Sequence, residues 1–144
     1  MSAIAGSNAS VATSILVIDD DKAVVFSVQA ILEDAGFCTF TAGNGIAGVD
    51  AFKKHAPAIV LTDIIMPDQD GIATILQLRR LCPDVKIIAM SGGGRIGNTD
   101  FLSVAEKLGA VDTLPKPFSA DDLLSMVGRL LNNESIPTTA SVAA

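Results

Sequence analysis

The chain is poor in aromatic residues and in the residues that bind metals through nitrogen or sulfur. It contains no Trp, no Tyr, six Phe, one His and two Cys among 144 residues. A core of this composition must be aliphatic, which suits an α/β sheet buried on both faces. The single His55 has no second histidine to share a metal or a proton with, so we expect it at the surface near a helix end.

The two cysteines, Cys38 and Cys82, are neither paired in sequence nor spaced as metal ligands. We expect two reduced and mostly buried thiols, as in a cytoplasmic protein.

Positive charge is scarce. Ten Lys and Arg against sixteen Asp and Glu give a net charge of −6. This balance argues against a nucleic-acid surface and favours a cation as ligand.

No apolar run approaches the length of a membrane-spanning helix, and the first thirteen residues lack the basic start of a signal peptide, so we expect no membrane association.

The length fits one domain of ordinary size. Residues 1–13 and 132–144 are small and polar, which predicts a flexible N-terminal lead and a flexible C-terminal tail. The domain itself is expected to span residues 14–131.

Within those bounds, short apolar runs alternate with segments of helical period. Strands are predicted at residues 15–18, 38–41, 58–62, 85–90 and 111–114. The helical stripes are Val24, Val25, Val28, Ile31 and Leu32; Ile46, Val49 and Phe52; Ile72, Ile75 and Leu76; Phe101, Val104, Ala105 and Leu108; and Leu123, Leu124, Val127, Leu130 and Leu131. Five strands alternating with five helices predict a doubly wound α/β fold, with a parallel sheet covered on both faces.

Several helix starts carry capping residues. Asp21 and Asp70 stand where N-caps of the first and third helices are expected, and Ser119 with Asp122 resembles a capping box before the last helix.

Polar residues follow four of the predicted strands. Asp19 and Asp20 follow the first strand, Asp63 the third, Ser91 the fourth and Lys116 the fifth. In a parallel sheet these strand ends meet at one edge, where ligands bind. Clustered carboxylates are costly to bury without a cation, and Mg²⁺ prefers hard oxygen ligands together with phosphate oxygens.

These residues fit phosphoryl transfer. The Asp63 carboxylate would attack phosphorus and form an acyl phosphate. Mg²⁺, the Lys116 ammonium and the Ser91 hydroxyl would each stabilise one phosphoryl oxygen. The simpler alternatives are a solvated acidic turn at residues 19–21 and a Ser91 that only bonds the backbone.

Four segments carry a family resemblance. They are the acidic pair after residues 15–18, the run at residues 63–71 (DIIMPDQDG), Met90-Ser91-Gly92 and Lys116-Pro117-Phe118. Together and in this order they resemble a response-regulator receiver domain of two-component signalling, of the single-domain chemotaxis-receiver type, over about residues 14–131.

The resemblance implies a role for each site residue. Asp63 would be the phosphoacceptor; Asp20, Asp63 and the backbone carbonyl of Ile65 would bind Mg²⁺ directly; Asp19 would act through a metal-bound water; Ser91 would be the switch hydroxyl; and Lys116 would bind phosphate. It further implies a flavodoxin-like strand order of 2-1-3-4-5, for which a chemotaxis receiver is a standard example, and a cis Lys116-Pro117 bond.

The implied partners are a histidine kinase or phosphotransfer protein as donor, and a downstream protein target. Docking, or a homodimer, would use the last two helices and strand five, where Arg95, Lys107 and Arg129 are candidates. One departure is Thr113, which stands where receivers often carry an aromatic residue of the switch.

Two alternatives remain from the sequence. A phosphatase of the haloacid dehalogenase type also uses an Asp nucleophile, Mg²⁺ and a Lys, but its second acid would fall at Ile65. The chain could also be a receiver fragment of a hybrid histidine kinase.

Overall fold

A computed structural model describes residues 12–64, 71–92 and 112–132. The elements in these ranges are β1 (Ser14–Ile18), α1 (Lys22–Asp34), β2 (Cys38–Ala42), α2 (Gly45–His55), β3 (Ile59–Asp63), α3 (Gly71–Leu81), β4 (Lys86–Gly92), β5 (Asp112–Lys116) and α4 (Ala120–Leu131). The helix predicted at residues 101–108 and the cap predicted at Asp70 lie outside the described residues.

The strands form one parallel sheet in the order β2-β1-β3-β4-β5, which confirms the predicted order. The chain moves outward from β1 to β2 and then returns to the other side of β1 with β3. This reversal opens a crevice at the carboxyl ends of β1 and β3, the usual place for a ligand in an open α/β sheet. We call that side of the sheet the carboxyl edge and the opposite side the amino edge.

Helices cover both faces of the sheet, as predicted. α2 and α3 pack with Leu16, Ile18 and the strand residues on one face. α1 and α4 pack with Ile15, Val17 and the strand residues on the other. These four β1 residues are fully buried, because a central parallel strand is covered on both sides.

Three predicted stripe positions are wrong, and one of them, Leu131, ends α4 and is 37% exposed. Leu76 is 40% exposed, since α3 buries Thr74, Ile75 and Leu78 instead. Ile46 is 60% exposed. Gly48 explains part of the exposure of Ile46. A Cβ at Gly48 would lie 2.4 Å from the Ile18 side chain, so α2 contacts the sheet at a glycine, which a pattern of apolar residues does not count.

The cysteine prediction is also partly wrong. Both thiols are free, but Cys38 is exposed and Cys82 only half-buried. Cys38 begins β2, which lies at the edge of the sheet and therefore has one open side.

The predicted caps at α1 and α4 are confirmed. Asp21 accepts hydrogen bonds from the backbone amides of Ala23 and Val24, at 2.9 and 3.3 Å. Ser119 and Asp122 form a reciprocal capping box. The Lys116-Pro117 bond that precedes this box is cis, as predicted.

Candidate functional site

Three carboxylates meet at the carboxyl ends of β1 and β3. One oxygen from each of Asp19, Asp20 and Asp63 lies within 4.8 Å of the others. Asp19 and Asp63 are buried, whereas Asp20 is exposed. The cluster therefore has a buried base and an open side through which a ligand can enter.

The backbone holds the two buried acids in place. The Asp19 amide donates to the Ala42 carbonyl at 3.1 Å, and Asp19 Oδ1 accepts from the Asp21 amide at 2.9 Å. Asp63 ends β3 beside Met90 of β4, and the next amide, that of Ile64, donates to the Met90 carbonyl at 3.0 Å. Asp63 is thus the last residue of a strand and Asp19 directly follows one, and backbone hydrogen bonds to neighbouring segments hold both in place.

Lys116 supplies the positive charge. Its Nζ lies 2.7 Å from Asp19 Oδ2 and 3.3 Å from Asp63 Oδ1. β5 is separated from β3 by β4, so only a long side chain can reach the acids from there. The ammonium thus bridges the two buried carboxylates.

This arrangement changes the protonation of both partners. Burial raises the pKa of Asp63 from 3.8 to about 6; the Asp19 charge adds to the effect, and the Lys116 charge and hydrogen bond oppose it. For Lys116, burial alone would lower the pKa, but the hydrogen bond to Asp19 and the charges of Asp63 and Asp19 outweigh it, and the pKa is raised. The lysine therefore stays charged, and one cation incompletely neutralises the acids.

Ser91 is buried at the same edge. It is paired with Pro115 of β5 and follows Met90, the residue beside Asp63. The structure brings together five of the six predicted site residues, namely Asp19, Asp20, Asp63, Ser91 and Lys116. The sixth, Ile65, lies outside the described residues.

Sequence reasoning missed Gly71, the first residue of α3. Its amide donates to the Ile64 carbonyl at 2.6 Å. A Cβ here would lie 2.2 Å from the Asp63 carbonyl oxygen and 2.6 Å from Ile64 Cα. Gly71 therefore lets the helix start against the strand end that carries Asp63; the Asp-Gly pair at residues 70–71 was the available signal.

The donor set fits a hard divalent cation. Three carboxylates offer oxygen atoms only, one of them is open to solvent, and Lys116 leaves them with excess negative charge. These are the properties that Mg²⁺ sites use. The acidic triad could therefore bind a metal ion.

Fold and site together define a flavodoxin-like α/β protein with an acidic, lysine-bridged pocket at its switch point. A family model, the response regulator receiver domain, matches residues 15–128. Chemotaxis protein CheY of Bacillus subtilis (strain 168) is 33% identical over 119 residues, which are 82% of this chain and 97% of CheY. The transcriptional regulator NtrC of Azospirillum brasilense is 35% identical over 127 residues, 88% of this chain but 26% of NtrC.

A solved structure of a receiver domain has a similar fold. The receiver domain of NtrX from Brucella abortus has a TM-score of 0.78 at 32% identity, covering 83% of this chain and 99% of that one. The chain belongs to the response regulator receiver domain family of two-component signalling. Members of this family use Mg²⁺, respond to a kinase and are typically not enzymes in the usual sense. In the part of the chain that the structure describes, no helix is both long and apolar enough to cross a membrane.

Proposed function

We propose that this chain is a phosphorylation-dependent switch in which Asp63 accepts a phosphoryl group from the phosphohistidine of a histidine kinase or phosphotransfer protein. The observation that carries the proposal is the position of Lys116 Nζ, 3.3 Å from Asp63 Oδ1 and 2.7 Å from Asp19 Oδ2. A cation at this point can stabilise negative charge on a group attached to Asp63. The domain would span residues 14–131 of the chain.

Asp63 would act as the nucleophile. With a pKa of about 6 it is mainly ionised at neutral pH, yet more basic than an ordinary carboxylate. An Asp63 oxygen bonds to phosphorus while the phosphorus–nitrogen bond of the donor breaks, and the electron pair of that bond returns to the donor imidazole. The products are an aspartyl phosphate and a free histidine.

Lys116 and Ser91 would hold the transferred group. The lysine ammonium offers three donors and the serine hydroxyl one, which suits the phosphoryl oxygens. Both residues approach from neighbouring strands on the same side of Asp63, so they favour a fixed direction of attack.

The acids would hold Mg²⁺ beside the phosphoryl group. Asp20 and Asp63 would bind it directly with the Ile65 carbonyl, and Asp19 through water; the short contact between Asp19 and Lys116 supports this indirect role. When bound, the ion supplies positive charge that stabilises the transition state. Without a cation the pocket would stay negatively charged, and it is open to solvent on the side of Asp20.

The phosphatase alternative is disfavoured. Its chemistry places a second acid two residues after the nucleophile, where this chain has Ile65. Family membership points the same way. The chain would thus catalyse only its own phosphotransfer and dephosphorylation.

The output would be a change in docking to a downstream protein, or in homodimer formation, at the face of α4 and β5. On this face Arg129 Nη1 pairs with Asp112 Oδ2 at 3.2 Å, and Thr113 replaces the aromatic residue of the usual switch. Arg95 and Lys107, also expected here, lie outside the described residues. A small residue at 113 implies that the signal reaches this face without rotation of a ring.

Intact-mass analysis after incubation with acetyl phosphate and Mg²⁺ tests the proposal. We expect one added phosphoryl group, lost in Asp63→Asn and in the presence of a chelator. Asp84→Asn is the matched control, because Asp84 is an exposed acid before β4, at the amino edge. A modified Asp63→Asn variant would contradict the assignment, and sustained hydrolysis of a general phosphate ester would favour the phosphatase.

A further inference from the structure

A groove between α2 and α3 is separate from the acidic site. It has a volume of about 170 Å³ and is lined by Val49 and Lys53 of α2 and by Gln77, Arg80 and Leu81 of α3. This is several times the roughly 30 Å³ that one water occupies in the liquid, so a large apolar side chain can enter. Lys53 and Arg80 belong to the last helical turns, which end at the amino edge.

The surface around the groove is positive in an otherwise acidic molecule. The last turns of α2 and α3 carry Lys53, Lys54, Arg79 and Arg80. The nearby acids are Asp50 on α2 and Asp84 in the turn after α3. α1 and α4 each carry more acids than cations, so a positive surface distinguishes the α2–α3 pair from the other described helices.

Among the described residues, no acid forms an ion pair with either groove cation. Lys53 and Arg80 are exposed and form no ion pair with any described residue. Interaction with the helix dipoles accounts for basic residues in a last turn. It places a cation at the end of each helix, and the packing of α2 against α3 brings Lys53 and Arg80 to opposite walls of one groove.

Apolar surface is exposed in and beside the groove. Leu81 is 45% exposed and Ile46 is 60% exposed. Ile46 stands three and seven residues before Val49 and Lys53, so it lies on the same side of α2. Exposed apolar side chains flanked by charge are typical of protein-binding surfaces.

We propose that the α2–α3 groove binds an acidic peptide segment of a partner protein, with one large apolar side chain in the groove and carboxylates paired with Lys53 and Arg80. The groove lies at the amino edge, whereas the donor must reach Asp63 at the carboxyl edge. Binding is therefore compatible with phosphotransfer and does not depend on the function proposed above. Such a surface would tether the switch to a partner in both of its states.

Fluorescence anisotropy with a short labelled acidic peptide that contains a central Leu tests the groove on the unphosphorylated full chain. We expect binding that Lys53→Gln combined with Arg80→Gln weakens about tenfold. Replacing the peptide Leu by Ser should weaken it similarly. Lys54→Gln combined with Lys86→Gln removes the same charge outside the groove and should change affinity less than about twofold.

Thermal unfolding and the acetyl phosphate assay should be unchanged in both double variants, which separates loss of docking from loss of fold or of phosphorylation. Amide shifts on peptide binding should map to Val49, Gln77 and Leu81. Absence of binding, equal loss in both double variants, or equally strong binding of duplex DNA or of anionic vesicles would overturn the proposal.

Discussion

Asp63→Asn should make the metal-free protein more stable at neutral pH, although it removes the proposed phosphoacceptor. Burial and the Asp19 charge raise the pKa of Asp63 from 3.8 to about 6, in spite of Lys116. Between these two values the folded protein binds more protons than the unfolded chain. The stability contributed by Asp63 is therefore greatest at low pH and falls as the pH rises toward 6. Asn carries no charge, so the Asp63→Asn variant does not lose this stability as the pH rises.

The shift of about two pKa units corresponds to at most about 3 kcal/mol, at 1.36 kcal/mol per unit. Asp63 lies at an edge that solvent reaches, and its side chain keeps 8% of its exposure. Screening lowers the effect, so we expect a gain of about 1–2 kcal/mol above about pH 7. This corresponds to a rise in Tm of about 3–10 °C.

Urea unfolding in a chelator, followed by circular dichroism from about pH 4.5 to about pH 8, measures this difference. The advantage of Asp63→Asn should be greatest at the upper end and decline toward the lower end, and it would vanish only below the unfolded pKa of 3.8. Asp84→Asn should stay within about 0.5 kcal/mol of wild type throughout. A gain that does not change with pH, or a variant less stable than wild type near pH 8, would refute the electrostatic reasoning.

Three further predictions concern the same site. Lys116→Met leaves Asp19 buried without its cation and should destabilise the fold by about 2–4 kcal/mol near neutral pH in urea unfolding; an unchanged midpoint would contradict the bridging role. Gly71→Ala forces a Cβ against the Asp63 carbonyl and should cost about 1–3 kcal/mol and slow phosphorylation by acetyl phosphate. Gly128→Ala is the control, because nothing lies within 4 Å of a Cβ at Gly128. It should stabilise the protein by up to about 1 kcal/mol. Equal effects of the two substitutions on stability would be inconsistent with steric exclusion at Gly71. Mg²⁺ should raise the Tm of wild type and have less effect on Asp20→Asn, so identical shifts would remove Asp20 from the metal site.

The apolar runs were sufficient to predict a parallel sheet and the convergence of Asp19, Asp63 and Lys116 at one edge, whereas the strand order followed from the family resemblance. Each of these residues ends or follows an apolar run, and a parallel sheet has one edge at which such ends can meet. The prediction needed no knowledge of side-chain rotamers. It depended on strand positions alone, which strong apolar runs define well.

The errors fall where packing depends on residues without a large side chain. α2 approaches β1 at Gly48 and α3 approaches β3 at Gly71. At Gly48 the contact between α2 and the sheet is made by a residue that a hydrophobic stripe does not count, while Ile46 lies outside. The exposure of Cys38 followed from its place on an edge strand, which thiol burial preferences do not take into account.

The contact between Lys116 and Asp19 joins residues 97 positions apart. A nascent chain that has left the ribosome only as far as β4 already carries its three acids but lacks the ammonium between them. The proposed phosphorylation of Asp63 would therefore require that β5 has been synthesised and has joined the sheet. A donor kinase that requires this geometry would in effect select fully folded receivers and pass over incomplete ones.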